Sequence, residues 1–269
     1  MEIPIYKQLE EEFAKFCGKK YAIAVNSGTS ALHLALIALG IKEGDEVIVP
    51  DFTFIACAFA VSYVGATPVF VDCGDDLCID PALIEAKITS KTKAIMPVHI
   101  YSRTADMKAI MKIAKKYKLK VIEDASEHHA VKLANSDVAC YSFQATKQIH
   151  CEEGGMLVTD KKRIYDEVNK LKTFYNNGRY HHKKLSFNYR MANSQAELAL
   201  KSLHDFKGKD WVEVIICKNP MQRNSYFKHI PPGVRPFFKP LSSMPMYRQE
   251  VGKKARYYSK RGYIKYVRE

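Results

Sequence analysis

YAIAVNSGTSALHLALIALGIKEGDEVIVP, residues 21–50, runs from an apolar β-rich segment through a small polar turn into a stretch that is apolar around most of a helix, then out into EVIVP. Residues 21–26 predict a short strand. Residues 30–40 predict a helix that stops at Gly40, a residue suited to the left-handed end of a helix. EVIVP, 46–50, predicts a second strand. The alternation continues outward. A buried helix over 54–63 is closed by Gly65, and a strand over 67–73 and a short helix over 81–88 come after it. Next come a strand over 92–100, an amphipathic helix over 105–118 and a strand over 119–124. Strands that alternate with helices need crossover connections and hence a mainly parallel sheet. Continuous apolar strands such as VIVP and VFVD suit a sheet covered on both faces. After Asp124 the rhythm changes. Strands over 138–143 and 154–160 are joined by a loop, and helices over 161–173 and 192–205 and a strand over 211–217 complete the pattern. The remainder is rich in proline, aromatic and basic residues and predicts a partial domain. The expected organisation is a large α/β domain, 1–208, and a small C-terminal one, 209–269.

The whole chain has 269 residues, enough for that arrangement. Every apolar run is interrupted by Lys, Asp, Glu or His before reaching membrane-spanning length. The start, MEIPIYKQLEEEF, lacks a basic-then-apolar signal pattern, so a cytoplasmic location is expected. The seven cysteines are scattered and form no C-x-x-C, which argues against a disulfide framework or a zinc site; Cys140, in VACYSF, suits a core. Net charge is +13, and residues 201–269 hold 16 Lys plus Arg against 5 Asp plus Glu. Such a surface attracts nucleic acid or phosphorylated small molecules. No nucleic-acid module is evident there, so nucleic acid is not the expected partner.

Four places could carry chemistry. In NSGTSALH, 26–33, a strand ends, Gly28 permits a tight turn and a helix starts at Thr29 or Ser30. Unpaired N–H groups at such a helix start favour a phosphate, while a plain turn with a serine cap explains the same residues. Asp124 ends a strand, the edge at which open α/β sheets bind ligands; a helix cap is the plainer explanation. In SFQATK, 142–147, a lysine comes after a strand, and Lys147 could point into a crevice. Lysine forms Schiff bases when its pKa is lowered, although a lone lysine is ordinarily a surface charge. In SFNYRM, 186–191, Asn188 or Arg190 could bind phosphate or carboxylate, or simply belong to a polar loop.

Their order is more specific than any one of them. With GATPVFVD, PVHIYSRTADM, VIEDASEHH, ACYSFQATKQI, EGGMLVTD, NYRM and VRPFFKPLSSMPMY, the chain resembles the DegT/DnrJ/EryC1/StrS family of nucleotide-sugar aminotransferases, in particular its perosamine-forming branch. The resemblance implies a type I aminotransferase fold, an α/β architecture with a mainly parallel central sheet flanked by helices and here a truncated small C-terminal domain. It implies pyridoxal 5'-phosphate as cofactor and a homodimer with active sites at the subunit interface. Lys147 would carry the cofactor and shuttle the proton. Asp124 would pair with the pyridine nitrogen, Gly28, Thr29 and Ser142 would hold the phosphate, and Phe54 would stack on the ring. Glu127 would lie near the ring hydroxyl, and Asn188 would reach the cofactor of the neighbouring subunit. Glutamate would give its nitrogen, and a nucleotide-diphosphate keto-sugar, a 4-keto-6-deoxyhexose, would receive it in amino-sugar and polysaccharide synthesis.

The chain also departs from the pattern. The stretch between His129 and Asp137 is several residues shorter than in relatives, and 206–234 is compressed. Ala130, Glu152 and Ser186 stand at usual glycine positions, and Ser242 replaces a usual histidine. A turn needing positive φ at Glu152 would be strained. A family member that binds the cofactor or dimerises without transaminating is the alternative.

Overall fold

The computed structural model describes residues 3–175, 181–182, 184–227 and 233–267. Its centre is a seven-stranded sheet. The strands are β1 (Tyr21–Val25), β2 (Glu46–Pro50), β3 (Thr67–Val71), β4 (Thr92–Ile95), β5 (Lys120–Asp124), β6 (Val138–Ser142) and β7 (Gly155–Thr159), in the spatial order β1-β7-β6-β5-β4-β2-β3. From β6 to β3 all pairings are parallel, and β7 runs antiparallel to both β6 and β1. A mainly parallel sheet is therefore present.

Successive residues of β1, β6 and β7 enter opposite layers. Ile23, Val25, Val138, Cys140 and Leu157 pack in one core cluster with the helix α2 (Gly28–Ala38). Ala22, Ala24, Ala139, Tyr141, Met156 and Val158 pack in the other with Phe13 and Leu200. Phe13 belongs to α1 (Ile5–Cys17) and Leu200 to α6 (Asn193–Asp205). The period of two puts alternate side chains on opposite faces, and apolar residues at both phases require cover on both. The other helices of this layer system are α3 (Ala56–Tyr63), α4 (Met107–Tyr117) and α5 (Lys162–Leu171). Among the described residues no helix is long and apolar enough to cross a membrane.

Some boundaries differ from expectation. The run 92–100 is a strand only to Ile95. Pro97 has no N–H for a ladder, and Tyr101 and Ser102 adopt φ of 53° and 62°, which turns the chain away from the sheet. The segment 81–88 forms two 3₁₀ turns, Pro81–Leu83 and Glu85–Lys87, in place of one helix.

After α6 the chain reaches a second, antiparallel sheet of β8 (Val212–Ile216), β9 (Val234–Pro236) and β10 (Gly262–Tyr266), ordered β8-β10-β9. Helices α7 (Pro220–Phe227) and α8 (Lys254–Arg261) accompany it. Trp211, Val212, Phe237, Leu241, Tyr247, Ala255 and Ile264 join the same apolar cluster as β2, β3 and β4, so the two sheets share a core.

Candidate active site

The carboxyl ends of β5 and β6 and the start of α2 meet at a cavity of about 530 Å³. Parallel neighbours end on the same side, which is why the residues just past them converge. Ser27 caps α2, its Oγ accepting the Ser30 N–H at 3.1 Å, so the helix begins at Gly28, earlier than the expected Thr29 or Ser30. The amides of the first helical turn have no acceptor within the helix, and Gly28 and Thr29 line the cavity. Gly28 is needed for a reason other than turn geometry. A Cβ there would lie 2.8 Å from the Cβ of Ser142, while one on Gly155 would lie 2.6 Å from the Gly28 nitrogen. Two glycines thus let the helix start press against the end of β6 and the start of β7. Glycine's freedom of φ plays no part, because φ at Gly28 is not positive.

Asp124 is buried at the end of β5. Its Oδ1 accepts the Ser126 N–H at 2.9 Å and its Oδ2 accepts the Cys57 thiol at 3.1 Å. Three residues on, Glu127 is also buried, and its Oε2 takes the Tyr101 N–H at 3.2 Å. Burial raises the carboxyl of Glu127 above its usual range, against the pull of Lys147 and Arg235.

Lys147 lies on the loop after β6, its N–H bonded to Gln144 O at 2.8 Å. Its Nζ stands 3.5 Å from Glu127 Oε1 and 3.9 Å from the centre of the Trp211 ring. Burial lowers its pKa, and the neighbouring Glu127 and Asp124 oppose that shift. His129 fastens the loop from below. The Ile149 N–H donates to its Nδ1 at 2.9 Å, so Nε2 carries the proton and donates to Ser142 O at 3.0 Å. Full burial drives this imidazole down to about 3 and keeps it neutral.

The second sheet closes the cavity. Trp211, Arg235, Phe238 and Tyr266 line it, and sequence reasoning does not single them out as site residues. The Arg235 guanidinium lies over the Phe238 ring at 4.4 Å, its Nε donates to Tyr266 OH at 3.0 Å, and its Nη2 is 3.9 Å from Glu127 Oε1. The sequence signals for them are slight: Trp211 is the chain's single tryptophan, and Arg235 and Phe238 stand in VRPFFKPLSSMPMY.

Of the expected site residues, the fold gathers Gly28, Thr29, Phe54, Asp124, Glu127, Ser142 and Lys147 around one cavity. Phe54 sits at its rim, 55% exposed. Asn188 is exposed and does not line it; its Oδ1 accepts from Arg190 Nε at 3.0 Å. The donor set suits a phosphorylated ring: amides and a hydroxyl for the phosphate, a buried carboxylate for a protonated ring nitrogen and a desolvated amine for a carbonyl carbon.

Comparison with known proteins agrees with this geometry. GDP-perosamine synthase of Caulobacter vibrioides is 46% identical over 205 residues, which are 73% of this chain and 55% of that protein. The GDP-perosamine synthase of Escherichia coli O157:H7 is 37% identical over 290 residues, covering 92% of this chain and 80% of its own. Several curated relatives are matched over little more than half their length. Among solved structures, S. venezuelae DesV superposes with a TM-score of 0.89 at 28% identity, covering 99% of this chain and 85% of DesV. NtdA from Bacillus subtilis, solved with bound cofactor PMP, gives 0.84 at 27% identity, covering 98% and 72%. The profile of the DegT/DnrJ/EryC1/StrS aminotransferase family matches residues 3–211, and the chain belongs to that family.

Proposed function

We propose that this protein is a pyridoxal 5'-phosphate-dependent aminotransferase that moves an amino group from glutamate to a nucleotide-linked 4-keto-6-deoxyhexose, in amino-sugar synthesis for a polysaccharide. One observation carries the reading: a largely buried lysine, Lys147, shares a cavity with Asp124 and the amino end of α2, with Glu127 3.5 Å away. The two GDP-perosamine synthases support the sugar class, and the NtdA complex supports the cofactor.

The cofactor supplies an aldehyde for amines and a ring that accepts electrons from the adjacent carbon. The amides of Gly28 and Thr29 and the Ser142 hydroxyl would hold its phosphate. Asp124, fixed by Cys57 and Ser126, would pair with the ring nitrogen and favour its protonated form. Phe54 would cover the ring. Lys147 Nζ would hold the cofactor through its aldehyde and, once freed by the amino donor, would move the proton in both halves, off the donor's α-carbon in the first and onto the sugar carbon in the second. Glu127 steadies the ammonium that Nζ then carries.

On the same reading the protein is a homodimer, and the exposure of Asn188 outside this chain's own cavity leaves it free to serve a partner's site. It works in the cytoplasm, where its seven free thiols suit a reducing compartment. Residues 209–269 form a small domain, a division supported by their separate sheet.

The test is an absorption spectrum with added pyridoxal 5'-phosphate, wild type beside Lys147→Ala, before and after glutamate. A visible band that needs Lys147 and is bleached by glutamate is expected. A band that ignores glutamate means a cofactor-binding protein without this donor, and no band in the folded protein ends the enzyme reading.

A further inference from the structure

Trp211 is fixed at three points. Its backbone N–H donates to Ser102 Oγ at 2.8 Å, its indole Nε1–H donates to Thr146 O, and its ring packs on Tyr266 with centres 5.6 Å apart. It is 5% exposed. The acceptor Thr146 immediately precedes Lys147, and the Lys147 Nζ lies 3.9 Å from the centre of the indole ring. One side chain thus holds both the turn that carries the lysine and the lysine's charged end.

We propose that Trp211 is the positioning residue of Lys147: its indole face holds the ammonium form of Nζ, and its N–H bond to Thr146 O holds the turn, so the amine stays aimed into the cavity until a carbonyl compound takes it up. The inference rests on Lys147 being the reactive amine of the proposed function. A cation over an indole is stabilised by the ring's negative face, most of all where water is excluded. The charged groups around Nζ are Glu127 and Asp124, which favour the ammonium, and Arg235, which opposes it. His129, beneath the loop, is neutral. The ring acts in the same direction as the two carboxylates, so its removal leaves burial less opposed and releases the proton at lower pH.

The experiment uses the full chain without added cofactor. Lys147 is acylated competitively across a pH series, and the extent of modification is read by mass spectrometry on its peptide. Trp211→Leu, which lacks the ring, is expected to lower the midpoint of Lys147 reactivity by about one pH unit. Trp211→Phe, which keeps an aromatic face but has no indole N–H, is expected to restore most of it. An unmoved midpoint in Trp211→Leu overturns the proposal, and so does a Trp211→Phe midpoint equal to that of Trp211→Leu. A variant-free control covers the case in which the substitutions unfold the protein. Emission of the single tryptophan in wild type is expected to change at the pH of the Lys147 midpoint, and a flat emission there overturns the proposal. Because no cofactor is present, the outcomes separate from those of the spectrum. A protein that fails to bind pyridoxal 5'-phosphate can still show the shift, and one that binds it through Lys147 with an unmoved midpoint keeps its function and loses this inference.

Discussion

At the scale of single residues, Glu152 breaks a local rule of backbone conformation at a cost in stability. It holds φ at 66° in the turn before β7, where its carbonyl accepts the Ala145 N–H at 2.8 Å. An L side chain in that region costs roughly 1–2 kcal/mol, part of which glycine recovers after its larger loss of chain entropy. Glu152→Gly is therefore expected to raise stability by about 1 kcal/mol in urea denaturation. An equal gain from Glu152→Ala would trace the effect to charge and refute the backbone argument. The sequence disclosed this strain, because glutamate stood at a usual glycine position. Asp124 and Lys147 were legible because one ends a strand and the other comes just past one, whereas Glu127 was legible only through the family resemblance. Trp211 and Arg235 were not, since they reach Lys147 and Glu127 from a sheet more than sixty residues further along, and such contacts leave no local pattern. His129 gave no signal either, yet its burial is expected to contribute to the response to acid. Its folded pKa of about 3 lies below the ordinary 6.5, so the unfolded chain binds the proton first. Its contribution is complete above about pH 6.5 and falls as pH drops toward 3. Between pH 7.5 and 5 this group alone is expected to remove about 2 kcal/mol. His129→Gln should flatten that slope in urea midpoints taken at the two pH values, and an unchanged slope would assign the acid response to other groups.

At the scale of elements, strand spans were the most legible and irregular connections the least. EVIVP is a strand over the five residues expected, because its continuous apolar, β-branched run acts locally. The overextended 92–100 run failed at Pro97 and at two positive φ values that no pattern of apolar residues encodes. Carboxylates just past the strand ends dock the C-terminal segment. Past β2, Asp51 Oδ1 and Oδ2 accept the backbone N–H and the hydroxyl of Ser242 at 2.6 and 2.9 Å, so the serine found where relatives carry histidine has a partner of its own. Past β3, Asp72 Oδ1 accepts the Ala255 N–H at 2.7 Å and Oδ2 the Lys254 N–H at 2.9 Å, which caps α8 from a distant part of the chain. An N-terminal cap is worth about 1 kcal/mol, and burial of the stranded amides adds to the loss. Asp72→Ala is expected to lower stability by about 1–3 kcal/mol and to speed hydrogen exchange across 254–261 ahead of the central strands. Uniform exchange along the whole chain would mean that α8 is held by its apolar contacts and not by this cap.

At the scale of the whole molecule, the two sheets pose the question of one folding unit or two. The composition of the chain beyond about residue 208 suggested a second, partial domain, and residues there do form a separate sheet, β8-β10-β9. The packing argues for a single cooperative unit. Phe237 sits against Phe52 and Tyr101 with ring centres 5.5 and 5.2 Å apart, and Tyr247 meets Phe70 at 5.6 Å. These rings are buried in the cluster that also holds β2, β3 and β4, so opening the second sheet would strip cover from the first. Exposing a side chain of this size costs roughly 1.5–3 kcal/mol, and several would be exposed together. The single tryptophan makes the question measurable, because Trp211 reports only on the junction, whereas far-ultraviolet circular dichroism is dominated by the large layer system. The two signals are expected to track one urea transition with the same midpoint. A tryptophan transition at clearly lower urea would show that the C-terminal segment detaches first, that its contacts with the large sheet are weaker than the buried rings imply, and that the cavity around Lys147 opens well before the protein unfolds.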